Sequence, residues 1–155
     1  MKKVLFLKTA FSCMACDGEI ANEEINLIKL LAEKTNLFEG IDVEDLLNSF
    51  IQEINRKGKM FLIDYLGEIK VAEFTKAEEL ELLNLAFKTI NSDNIIEYSE
   101  VKFFKKIRMR LDVTDDDILV TYPEMEEFIQ PDIQVFEDPE WNDAIFSNIS
   151  FNVKN

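Results

Sequence analysis

Apolar positions along the chain recur with the 3-4-3 spacing of an amphipathic helix, and they do so twice in the same order. Val4, Leu7, Phe11 and Met14 form one stripe; Leu80, Leu83, Phe87 and Ile90 repeat it position for position at a constant offset. An acid-bearing stretch follows each stripe, and then a second stripe. Ile25, Ile28 and Leu31 in the first copy correspond to Val101, Phe104 and Ile107 in the second. Each copy predicts a helix, a short loop and a second helix packed back on the first. Neither hairpin can bury its stripe alone, so the expectation is two related hairpins around a pseudo-twofold axis.

Two further helices are predicted between the copies. One begins at Asp42, turns Val43, Leu46, Leu47, Phe50, Ile51 and Ile54 inward, and ends near Gly58. The next covers roughly 60–72, with Phe61, Leu62, Tyr65, Leu66 and Ile69 inward. Thr75-Lys76-Ala77-Glu78 is a capping box opening the helix of the second copy, and Thr114-Asp115-Asp116-Asp117 opens a short seventh helix in the same way. The fold class is therefore all-α, with about seven helices in a domain over residues 1–120.

Residues 121–155 change character. All three prolines fall here, among acids and large aromatics such as Tyr122, Phe128, Phe136, Trp141, Phe146 and Phe151. Disordered tails seldom carry so many large apolar groups. Thr121-Tyr122-Pro123 and Asp138-Pro139 read as starts of short helices. The segment is expected to be an acidic extension that docks, on its own domain or on a partner.

Composition narrows the function. Apolar residues make up 47% and charged residues 31%, and only four glycines leave little room for the turns of a β-sandwich. The net charge of −14 repels phosphate backbones, which excludes nucleic acid as an expected partner. Half of that charge, eight acids against Lys154, lies in residues 121–155. The chain has no histidine, which removes the commonest general base, the commonest zinc ligand and every Ser-His or Cys-His nucleophile. Met1-Lys2-Lys3 followed by Val4-Leu5-Phe6-Leu7 imitates a secretion signal, with Met14-Ala15-Cys16 like a lipoprotein cleavage site. Lys8 breaks that apolar run after four residues, and residues 4–25 match 80–101, so the segment reads as domain. The expectation is a cytoplasmic protein with no membrane span.

The repeated acids carry the functional question. Asp17 aligns with Asp93 and Glu24 with Glu100. With Ala21 as N-cap, Glu24 sits at the third helical position, where a carboxylate reaches back to an orphan amide. Ile20 with Ile25, and Ile96 with Val101, then form hydrophobic staples. Asp17 and Asp93 suit Asx-turns, with Gly18 and Asn94 tolerating a left-handed backbone. Structural roles thus account for each repeated residue. The alternative takes Asp17, Glu24, Asp93 and Glu100 as hard oxygen ligands that converge across the twofold on Ca²⁺ or Mg²⁺. No cofactor is required by the first reading.

The motif Ala15-Cys16-Asp17-Gly18-Glu19-Ile20-Ala21-Asn22-Glu23-Glu24, returning in degenerate form as Asp93-Asn94-Ile95-Ile96-Glu97-Tyr98-Ser99-Glu100, resembles the TerB family of tellurite-resistance-associated proteins. It is also similar to the N-terminal part of certain membrane-anchored J-domain co-chaperones. The likeness covers roughly residues 4–120. Cys16 stands in place of the usual alanine and Asn94 in place of the second glycine. The resemblance implies an all-helical, non-catalytic module linked to stress, metal or tellurite resistance, acting through a protein partner or self-association.

Two other features bear on chemistry. Cys13-Met14-Ala15-Cys16 is a CxxC, but it falls at a helix end, where the dipole opposes thiolate formation, so small buried residues are expected. Lys102, Lys105, Lys106, Arg108 and Arg110 load one helix with positive charge. They are either a solvated face or a dock for the acidic extension.

Overall fold

The computed structural model describes residues 2–16, 18, 20, 22–92 and 98–129. Their regular structure is helical, in the order α1 (Lys2–Ala15), α2 (Asn22–Lys34), α3 (Val43–Lys57), α4 (Lys59–Val71), α5 (Lys76–Ile90), α6 (Tyr98–Arg108) and α7 (Asp115–Thr121). A single 3-10 turn (Pro123–Met125) and α8 (Glu126–Ile129) follow. The seven helices read from periodicity are all present.

The helix boundaries have local causes. The Asp42 carboxylate accepts from Asp45 N, and Gly58 ends α3 at φ 62°, a conformation that glycine alone adopts without strain. Lys59 starts α4 immediately beyond it. Thr75 with Glu78, and Thr114 with Asp117, form complete reciprocal capping boxes.

Cross-packing of the repeats follows the expected symmetry. α1 lies along α5; α6 packs on α1, and its counterpart α2 packs on α5. A twofold that exchanges α1 with α5 must exchange those two contacts. The symmetry is not complete: α5 and α6 pack closely as a hairpin, whereas the main neighbour of α2 is α5 rather than α1.

The largest departure from the expected stripes concerns α1. It is buried on every side from Phe6 to Ala15, including Lys8, Thr9 and Ser12. The reason is α4, which covers the polar side. Tyr65 OH donates to Thr9 Oγ at 2.6 Å, and Thr9 Oγ donates to Leu5 O at 2.8 Å. Lys8 Nζ reaches Glu68 at 3.0 Å and stands 4.9 Å from the centre of the Phe61 ring. The ammonium is thus taken out of water beside a carboxylate and an aromatic face, which offset its desolvation. An aromatic cluster of Phe11, Phe50 and Phe61 fills the space between α1, α3 and α4, with ring centres 5.4–6.1 Å apart.

The packed core continues past residue 120. Met125 and Phe128 belong to it, and Phe128 lies edge-on to Phe87 at 4.9 Å and to Phe104 at 5.2 Å. The first turns of the extension therefore dock on α5 and α6 of the same chain. The short helix read from Thr121-Tyr122-Pro123 is the 3-10 turn and α8; the one read from Asp138-Pro139 lies outside the described residues.

Candidate functional site

Glu24 and Glu100 occupy the third position of α2 and of α6, as the repeat requires. Both are buried, each only 4% exposed. Such burial is unusual for glutamate and needs a specific setting. The setting is the C-terminal end of α1. Cys16 Sγ lies 4.0 Å from Ser99 O in the first turn of α6, and its nearer acceptor is Cys13 O at 3.3 Å. The negative charges of Glu100 and Glu24 both act on the Cys13 thiol. The fold thus buries two acids, one from each copy of the repeat, and the charges of both reach Cys13 near the end of α1.

The electrostatics of that centre oppose thiol chemistry. Burial raises the Cys13 thiol well above its ordinary value of 9.0, and Glu100 and then Glu24 raise it further. A thiolate there would lack solvation and face two carboxylates. Cys13 and Cys16 are free and buried. The CxxC therefore packs as small side chains, in agreement with its place at a helix end.

Asp17 and Asp93, the other half of the predicted ligand set, lie outside the described residues. Among the described residues, no three His, Cys, Asp or Glu side chains group as metal ligands. Gly18 has φ 89°, the left-handed backbone expected of it in the first acid loop. What the described part of the site offers is two carboxylates set at helix N-termini, where the dipole favours negative charge.

The basic side of α6 is not a uniformly solvated face. Lys102 is buried. Arg108 pairs with Asp115 at the start of α7, and Arg110 Nη1 donates to Lys106 O at 2.9 Å. Part of that charge therefore secures the end of α6.

Sequence reasoning passed over Glu79, a buried acid beside the capping residue Glu78. Its Oε1 accepts from Asp112 N at 2.9 Å and from Val113 N at 3.0 Å, pinning the α6–α7 connection to the first turn of α5. A signal was present: Glu79 falls in register with Leu82, Leu83 and Ala86 on the buried side of its helix. Lys8 is the same kind of case, in register with Phe11 and Ala15.

No protein-family model, curated protein or solved structure matches this chain. No helix among the described residues is long and apolar enough to cross a membrane.

Proposed function

We propose that the chain is a non-enzymatic TerB-like module that works by protein contact in stress or tellurite and metal resistance in the cytoplasm. The observation that supports contact as its mode of action is the outer side of α4. Met60 and Ile63 are nearly half exposed and Val71 is 78% exposed, and Gly67 between them meets open space. At ~100° per residue these four positions fall within an arc of roughly 80°. They form one apolar stripe on the side of α4 opposite Phe61, Tyr65 and Ile69. Apolar side chains scattered singly need no explanation, whereas a contiguous stripe marks a contact surface. The acids of the repeat agree with a non-catalytic role, since Glu24 and Glu100 are built into helix starts.

Growth under tellurite tests the reading. Cells expressing the wild-type chain should tolerate more tellurite than cells lacking it, and Ile63→Glu/Val71→Glu should abolish the gain. Because both positions are exposed, folding should change by only about 0.5 kcal/mol per site. Equal protection by the variant would reject the stripe as the contact face. An absence of protection by the wild type would reject the resistance role itself.

The burial of Glu24 and Glu100, one from each repeat and both acting on Cys13, supports a second reading, in which Asp17, Glu24, Asp93 and Glu100 hold Ca²⁺ or Mg²⁺. A cation bound to the native state raises its stability by mass action, about 2.7 kcal/mol at a hundredfold excess over Kd. Thermal unfolding with Ca²⁺, Mg²⁺, Mn²⁺ or Zn²⁺, against chelator, should then show an upward shift that Asp17→Asn/Asp93→Asn removes. A flat response to all four ions would end the cation reading. Stability lost by the double variant in chelator would instead assign the aspartates to turns.

A further inference from the structure

Gly67 sits in the middle of α4 on its outer side, where an added Cβ would meet nothing within 4 Å among the described residues. The packing of the chain on itself therefore does not call for a glycine there. Glycine inside a helix costs backbone entropy, and what it permits is the close approach of another backbone.

Gly67 belongs to the apolar stripe of Met60, Ile63 and Val71, so its meaning rests on the reading of that stripe as a contact face. Met60, Ile63 and Gly67 follow the a–d–a spacing of a heptad seam. Lys59 and Asp64 then hold the g and e positions, which form ion pairs between helices. At ~100° per residue, Lys59 and Lys70 border the stripe on one side, and Asp64 and Glu68 border it on the other. Neighbouring elements leave that polarity in place. Lys57 of α3 holds Asp64 at 3.3 Å and Glu53 at 3.1 Å, and the buried Lys8 of α1 holds Glu68 at 3.0 Å. Three carboxylates thus surround two ammonium groups on that border, and the Asp64 side chain remains 41% exposed. Arg56 before α4 and Glu73 beyond it are both exposed and of opposite sign.

Opposite borders decide the partner and its direction. A twofold axis along α4 pairs the helix with a parallel copy, and lays the basic border of each against the acidic border of the other. A twofold axis across α4 makes the pair antiparallel and sets like borders together. We propose that a second copy of the chain docks on this stripe, α4 against α4 in parallel. Lys59 of each copy meets Asp64 of the other, and the two backbones come nearest at Gly67. Five residues separate Lys59 from Asp64, the step from a g position to the next e position across such a pair. Lys70 ends the seam at the last turn of α4. A single helix face covers less than the roughly 800 Å² per partner of a standard interface, so the dimer is weak, with a Kd of about 10 µM–1 mM. Each copy carries a net charge of −14, so pairing needs salt. At physiological ionic strength the screening length is about 8 Å, which removes the long-range repulsion and spares close pairs.

Sedimentation equilibrium of the full-length protein at physiological salt should show monomer and dimer between about 10 µM and 1 mM. Lys59→Glu and Asp64→Lys should each weaken the dimer at least about tenfold, by setting like charges across the seam. An equimolar mixture of the two variants should recover it, because each copy then supplies the charge the other lacks. Gly67→Ala should raise the urea midpoint, as at any exposed helical glycine, yet loosen the dimer. A further variant covers any loss of folding on charge reversal. In Met60→Cys a parallel pair sets the two new thiols opposite each other, so a disulfide between copies should form several-fold faster than in urea. A wild type that stays monomeric at the highest concentration would overturn the second copy as occupant. So would a dimer indifferent to the charge variants, a mixture that fails to recover, a dimer tightened by Gly67→Ala, or Met60→Cys that cross-links no faster than in urea. The tellurite assay separates this failure from that of the contact reading. A monomeric wild type whose Ile63→Glu/Val71→Glu variant still loses tolerance would assign the stripe to another protein. A dimer whose variant protects fully would keep the pairing and sever it from resistance.

Discussion

Phe11→Ala is expected to destabilise the protein by about 3–5 kcal/mol, the range for deleting a fully enclosed phenylalanine. Phe11 is wholly buried and sits at the centre of the cluster with Phe50 and Phe61. Its loss removes apolar contact and leaves a cavity that α1 cannot close. α1 is held on its other sides by α5, α6 and the Tyr65–Thr9 bond, so the backbone has little freedom to collapse into the gap. Phe87→Ala, at the corresponding position of the second repeat, should cost less because Phe87 is only half-buried. Urea unfolding followed by circular dichroism measures both. A cost below about 1 kcal/mol for Phe11→Ala would contradict a rigid aromatic cluster.

Glu79→Ala should cost about 2–4 kcal/mol, large for an acid in the first turn of a helix. Its carboxylate receives two backbone N–H groups, from Asp112 and Val113, and Val113 is buried. Hydrogen bonds to a charged group contribute about 1.5–3 kcal/mol each, and removing the acceptor orphans both donors. Glu79→Gln keeps an oxygen acceptor at the same reach and should recover much of the loss. Hydrogen exchange gives the local readout. The amides of Asp112 and Val113 should exchange faster in Glu79→Ala, ahead of any change in α3 or α4. Equal losses for Ala and Gln would assign the role of Glu79 to packing instead.

Much of the fold was legible because its signals are local. The 3-4-3 stripes, the Thr75 and Thr114 capping boxes and the glycine after Lys57 each act within a few residues. What was not legible depends on covering by distant elements. Lys8, Thr9 and Ser12 read as the polar side of an amphipathic helix, and nothing near them in the chain says that α4 will lie over them. Glu79 reads as one more first-turn acid, because its partners are 33 and 34 residues away. The seat of α2 on α5 was unreadable for the same reason. At the site, alignment of the repeats placed Glu24 and Glu100 correctly at the third helical position. That both charges act on Cys13 followed only once α6 was known to pack on α1.

The enclosure of α1 also has a consequence for synthesis. The helix that every other layer closes around leaves the ribosome before any of its main neighbours. Its long partner α5 is complete only at Ile90, whereas α1 ends at Ala15, and α6 comes later still. At translation rates of about 5–20 residues per second, α1 waits roughly 4–15 s with Phe6, Leu7, Phe11 and Met14 uncovered. The nascent chain thus carries its most deeply enclosed helix in the open while the rest is made, and this interval is when a holdase has most to bind.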